Sequence, residues 1–457
     1  MPASRSSARF VRHLPGRGLL ATVAPAAVAL AVALLASTAA HAQSLKELYE
    51  AARAYDAAYL AARALAQSAD HRVAAAEGLA RPSAALGAGA STARIDPQHF
   101  PGGDSNSINA TLSGRYPIIN RANDATIAQA RRTLDSARAE LDSAEQDLIV
   151  RVAQAYFDVL ASQDTLATVR ANKAAITEQL ASAKRNFEVG TATITDTREA
   201  QAKFDKAVAD EIASENDLRS KRIALDQLVG RSGVAPKPLV LPVTLPPVVP
   251  ADVEAWVSTA DGAHPSVRRA RVGLDVARLE TEKARAAEKF TLDAVGSVGA
   301  ARASGSSLSS FPGVTRTASV GLQFNLPLYT GGQTGNRIQE TLLLEEKARQ
   351  DLDAARRNIA QATRVAFFGV QSGQAQVKAL EAAESSAKLA LEATQLGYRV
   401  GVRVNLDVLN AQTQLFQTQR DLARARYDVL VGSLRLAQAS GQLQPSDLDA
   451  INALLAK

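Results

Sequence analysis

Phe187-Glu188-Val189-Gly190-Thr191-Ala192-Thr193-Ile194-Thr195-Asp196 recurs 211 residues later as Tyr398-Arg399-Val400-Gly401-Val402-Arg403-Val404-Asn405-Leu406-Asp407. Each copy lies between two long Ala/Leu-rich segments with helical spacing and no proline. An aromatic closing a helix, then Val-Gly, a few β-branched residues and an Asp reads as a helix end, a tight turn and a fresh N-cap. Each copy is therefore expected to be the tip of a long helical hairpin, turning at Gly190 or Gly401 and restarting at Asp196 or Asp407. The chain reads as two such hairpins in tandem.

Moving outward from the first tip, Leu134, Ala137, Leu141, Ala144, Leu148, Val152, Ala155 and Val159 keep a helical period through residues 122–187. At ~1.5 Å per residue this is a rod on the order of 100 Å. One globular domain cannot bury that length, so the rod belongs in a coiled coil or a tube. The return helix runs to Gly230. The same plan follows at a fixed offset: a long helix over 336–398, a return helix over 405–441, and matching pairs Gln201/Gln412 and Gly230/Gly441. A shared period alone would not align glycines, aromatics and caps, so the chain is a tandem duplication.

Ahead of each long helix the period changes to two. Ile108, Ala110, Leu112, Gly114 and Tyr116 alternate with Asn109, Thr111, Ser113 and Arg115; Ala318, Val320, Leu322, Phe324 and Leu326 alternate with Thr317, Ser319, Gln323 and Asn325. Each describes a strand with one apolar face, ending at Pro117 or Pro327. Residues 84–94 and 291–303 are the partner strands, joined to them by Gly/Ser/Pro-rich loops over 95–106 and up to Pro312. Residues 44–81 read as one helix, and 253–289 as a helix broken near His264-Pro265. Four strands cannot close a barrel, and open edges are not tolerated in lipid, so closure needs several chains.

Arg5, Arg9, Arg12 and Arg17, an apolar run from Leu19 to Leu35 and Ala40-His41-Ala42 read as a cleaved export signal. Its four arginines, with no acid, reduce the formal charge from +6 to +2 on removal, which removes the case for a nucleic-acid partner. With no cysteine, disulfides, thiolate metal sites and a lipid-modified N-terminal Cys are excluded. The expected organisation is a signal peptide over 1–42, a first repeat over 43–230, a proline-rich linker over 231–250, a second repeat over 251–441 and a tail over 442–457.

No catalytic chemistry is expected. His71, His99 and His264 are scattered without metal-ligand spacing, and Gly331-Gly332-Gln333-Thr334-Gly335 lacks the Lys-Ser/Thr of a phosphate cradle. Trp256 reads as packing. The chain is not expected to be an enzyme, and no cofactor or metal is implied.

The tip segments, with Asn186 ahead of the first and Val408-Leu409 after the second, carry a resemblance to the TolC family of outer-membrane efflux and type I secretion channels, extending over residues 44–441. The resemblance implies a mainly α fold with a membrane β part: duplicated helical hairpins forming a periplasmic α-barrel, and four strands per chain in a trimeric 12-stranded outer-membrane barrel. It implies a homotrimer in outer-membrane lipid, working with a periplasmic adaptor and an inner-membrane transporter of ABC, RND or MFS type. It also implies a gate at the tips, with Thr195 and Asp196 on one side of the links and Tyr398 and Arg403 on the other. A pore constriction falls at Asp407 and Asn410, the latter departing from the family's acidic pattern. The competing readings are a periplasmic adaptor, which the duplication and strands disfavour, and a structural coiled-coil envelope protein, which would lack strands.

Overall fold

The computed structural model describes residues 42–95, 103–240, 242–305 and 313–456. The expected signal segment lies, but for Ala42, outside the described residues. The described residues from Gln43 onward pack as one unit.

The chain opens with α1 (Leu45–Tyr55) and α2 (Ala57–Glu77), then β1 (Ser83–Ile95), β2 (Gly103–Ile119), the long α3 (Arg121–Glu188) and its return α4 (Ile194–Val229). The second repeat gives α5 (Val253–Ala263), α6 (Pro265–Ala286), β3 (Thr291–Ser304), β4 (Gly313–Asn325), α7 (Gln333–Arg399) and α8 (Asn405–Ala439), followed by a short α9 (Asp447–Asn452). The rods α3 and α7 are 68 and 67 residues long, as the unbroken apolar period requires. Close packing of α7 on α8 needs small residues: a Cβ on Gly373 would stand 2.8 Å from Val429 Cγ2.

Two expectations are corrected. The single helix over 44–81 is broken at Asp56, whose backbone is extended (ψ 118°) and whose carboxylate caps α2 by accepting from Tyr59 N–H at 2.8 Å. Arg151 of α3 holds both oxygens of that carboxylate, at 2.9 and 3.0 Å. The break is the counterpart of His264 in the second repeat (ψ 128°), where Nδ1 accepts from Ser266 N–H at 3.1 Å. Pro265 announced one break; the other rests on the cap that Asp56 makes to Tyr59, which the continuing apolar period masked in the sequence, and on the ion pair with Arg151, 95 residues away. Second, Pro117 does not end its strand. β2 continues to Ile119, and a shift in ladder register between Pro117 and Ile119 absorbs the missing donor.

The four strands form one antiparallel sheet in the order β1-β2-β3-β4. Direct cross-strand partners place Leu86, Leu112, Val298 and Ala318 on one rung and Gly114, Gly296 and Val320 on the next, so the apolar residues of all four strands share one face. That face is bare: Val320 is 93% exposed and Leu86 75%. The opposite face carries hydroxyl pairs, Ser91–Ser107 at 2.7 Å and Ser297–Ser319 at 2.9 Å, and the ion pair of Arg115 with buried Asp293 at 2.6 Å.

The main core lies midway along the rods, where Leu45, Leu48, Tyr49, Leu148, Ile149, Tyr156, Phe157, Leu225 and Leu430 are buried together. Phe157 stacks on Tyr427 of α8 at 5.6 Å, and Tyr427 donates to Asp164, whose carboxyl is pushed up by burial. The linker residues pack here as well: Tyr156 donates to Lys237 O at 2.9 Å, and Leu239 bridges to Leu455 of the tail. Trp256 donates to Pro250 O at 2.9 Å and rests on a second cluster with Phe367 and Val370. Among the described residues, no helix is long and apolar enough to cross a membrane.

Candidate functional site

The two hairpin tips are built from the same hydrogen bonds. At the first, Thr191 N–H donates to Asn186 O at 2.8 Å and Gly190 N–H to Phe187 O at 3.0 Å; at the second, Val402 N–H donates to Gly397 O at 2.9 Å and Gly401 N–H to Tyr398 O at 3.1 Å. This pair closes a helix through a left-handed residue, and Gly190 (φ 78°) and Gly401 (φ 82°) supply it without a Cβ clash.

The restarts differ from the expected caps and from each other. Asp196 and Asp407 are not N-caps but lie three residues inside, at N3. At the first tip Thr193 is the cap: its hydroxyl accepts from Asp196 N–H at 3.2 Å, and Asp196 Oδ2 accepts from Thr193 N–H at 2.9 Å and from its hydroxyl at 2.8 Å. That reciprocal box satisfies the free helix-end donors. At the second tip Val404 has no oxygen to offer, and Asp407 accepts from Val404 N–H only at 3.5 Å while pairing loosely with Arg403 at 3.6 Å. The second return helix starts with a weaker tie than the first.

Within one subunit the structure does not join the two sides of the expected gate. Tyr398 Oη accepts from Asn186 Nδ2 at 3.2 Å, Arg403 pairs with Asp407, and Asp196 is bonded to Thr193. Both Thr193 bonds fall on Oδ2, and Oδ1 of Asp196 has no bond among the described residues of the subunit. Thr195 is exposed and Tyr398 half-buried. Exposed Asn410 accepts from Lys203 Nζ of α4 at 3.2 Å, which brings a cation beside the position where the family pattern has an acid.

Three residues at the tips were given no role of their own from the sequence. Asn186 counted only as part of the segment that carries the family resemblance, and Lys203 had no signal beyond being polar on a helix. Leu409 did have one, its place on the buried stripe with Asn405, Val408 and Gln412. Fully buried Leu409 inserts from the second hairpin into a cluster of Ile176, Leu180, Ala183, Ala200 and Ala207 in the first. It is the apolar contact that holds one tip against the other.

A profile of the outer membrane efflux protein family matches residues 24–231 and 256–442. Outer membrane protein TolC of Vibrio cholerae serotype O1 is 32% identical over 425 residues, 91% of this chain and 95% of its own. The alkaline protease secretion protein AprF of Pseudomonas aeruginosa is 35% identical over 317 residues, 68% of this chain and 65% of its own. The crystal structure of the outer membrane protein VceC from Vibrio cholerae superposes with a TM-score of 0.75 at 20% identity, covering 87% of this chain and 96% of that one; this likeness speaks to the fold. The protein resides in the outer membrane, with its helical hairpins on the periplasmic side. Duplicated hairpins, a four-stranded sheet with a bare apolar face and these matches lead to one conclusion: the chain belongs to the outer membrane efflux protein family, the channels of efflux and type I secretion.

Proposed function

We propose that three copies of the chain close a 12-stranded barrel in the outer membrane, continuous with a periplasmic α-barrel, and serve as the exit duct for an inner-membrane transporter and its periplasmic adaptor. The observation that carries this is the open sheet: β1 and β4 are both edges of a sheet whose apolar face is bare. Unpaired edge groups cost several kcal/mol each in hydrocarbon, so β4 of one subunit must pair with β1 of the next. Three subunits give an even strand number in the range such barrels use.

The tips form the gate in this reading. The free Oδ1 of Asp196 and the exposed hydroxyl of Thr195 are available to Arg403 of a neighbouring subunit, and Tyr398 steadies the second hairpin from the side. Such partly exposed links are worth about 0.5–3 kcal/mol each, within reach of a docking event. Exposed Val189, Val400 and Val402 give the tips an apolar surface for the adaptor. A ring of three Asp407 carboxylates at the narrowest point favours cations, tempered by Lys203 beside Asn410. The relative named for alkaline protease secretion supports polypeptides among the cargo, beside small molecules.

Planar-bilayer recording tests the gate. Tyr398→Phe combined with Arg403→Ser is expected to raise single-channel conductance in a trimer that still fractionates with the outer membrane. Unchanged conductance would remove these residues from the gate.

A further inference from the structure

The bare apolar face of the sheet carries three arginines near its loop end, Arg94, Arg302 and Arg316. Arg302 of β3 stands on the rung of Ile108 and Val314, and Arg316 of β4 on the neighbouring rung with Ala300 and Ala110. Both are exposed, and neither has a carboxylate partner among the described residues. The acid on this end of the face, Asp104, stands opposite Arg94 on β1, two rungs beyond Arg302.

Their height is set by the strand. From Phe324, which stacks on Phe290 at 5.4 Å on the helix side of the sheet, Arg316 is eight residues along β4, or about 27 Å at ~3.4 Å per residue. At a tilt of about 40° this is roughly 21 Å of height, and the rung of Arg302 adds about 5 Å, reaching the ~25 Å top of a barrel's apolar band. Because the helices lie in the periplasm, the loop end is the cell-exterior side. The guanidinium groups therefore stand at the boundary between hydrocarbon and headgroups in the outer leaflet, with stems long enough to reach upward.

As diagonal neighbours on adjacent strands, the two side chains have Cβ atoms no more than about 7–8 Å apart. Two unpaired like charges at that spacing repel each other, and a single anion between them relieves the repulsion. Guanidinium matches phosphate in two-point geometry. Below the pair, beginning one rung beneath Arg316, the face has a shallow apolar depression lined by Gly114, Gly296, Val298, Ala318 and Val320. We infer that Arg302 and Arg316 form, with this depression, a binding site for a phosphorylated glycolipid of the outer leaflet, repeated once per subunit.

The inference rests on the barrel reading above, and the experiment keeps the two apart by scoring heat-modifiable trimer separately from lipid binding. Purified wild-type trimer in detergent is titrated with bisphosphorylated lipid A, with enzymatically dephosphorylated lipid A and with phosphatidylglycerol. Wild type is expected to bind lipid A at least tenfold more tightly than either comparison lipid. Arg302→Ser with Arg316→Ser is expected to bring the lipid A affinity within about twofold of the dephosphorylated form, while the Lys/Lys double variant retains most of the difference. Equal binding of lipid A by wild type and the Ser/Ser trimer, or no discrimination among the three lipids by wild type, would overturn the site. Loss of the trimer in the wild-type preparation would instead overturn the barrel.

Discussion

Leu409→Ala removes the buried apolar contact between the hairpin tips. The side chain is fully buried in the first hairpin's cluster, and truncations of this kind cost about 2–5 kcal/mol, the upper end applying where the cavity cannot collapse. Two long helices hold the cavity walls apart, so collapse is limited. A second apolar link between the hairpins, the stacking of Phe157 on Tyr427, lies 18 residues along α8, about 27 Å away. Between them runs a groove in which Thr168, Asn172, Asp210, Gln417 and Arg420 alternate with Val169, Ala207 and Phe416, so polar groups interrupt the apolar contact. At 1.4 kcal/mol per factor of ten, the first turns of α8 should open about 30-fold to 4,000-fold more often. Hydrogen–deuterium exchange on the intact trimer reads this directly, as faster exchange over residues 405–412 with little change near Tyr427. Val402→Ser, at an exposed tip position, should leave the same amides unchanged. Exchange within threefold of wild type in Leu409→Ala would refute the claim that this contact couples the hairpins.

The unequal caps give a reciprocal pair: Thr193→Val should weaken the start of α4, and Val404→Thr strengthen the start of α8, each by about 1 kcal/mol, read as exchange at residues 194–197 and 405–408. The reverse ordering would show that Asp407 caps α8 as well as Thr193 caps α4. Asp56→Asn keeps a competent cap but loses the Arg151 ion pair, and should cost about 1–3 kcal/mol at pH 7 in thermal unfolding of the trimer. Arg151 holds the Asp56 carboxyl below the usual carboxylate range, so this stability is fully present above the unfolded value of 3.8 and is lost as pH falls from there through the lower folded value. The gap between wild type and Asp56→Asn should therefore close on acidification; a gap that does not narrow at all as pH falls below 3.8 would assign the effect to packing.

What the sequence by itself determined is whatever is encoded within a few residues. The turns at Gly190 and Gly401, the unbroken period of the two rods, the alternation in β2 and β4 and the break at Pro265 depend on neighbours in the chain, and the duplication displayed each of them twice. Tertiary structure decided what depends on distant partners. Asp56, which caps α2 locally, is also held by Arg151 from 95 residues away. The missing donor of Pro117 is absorbed where β2 meets β3, so the strand runs on. Tyr398 meets Asn186 across 212 residues, and Leu409 enters the first hairpin. The arginines of β3 and β4 are unremarkable apart in sequence; only the antiparallel register makes them neighbours on one face. Periodicity specifies which side of an element is buried, whereas packing alone specifies against what.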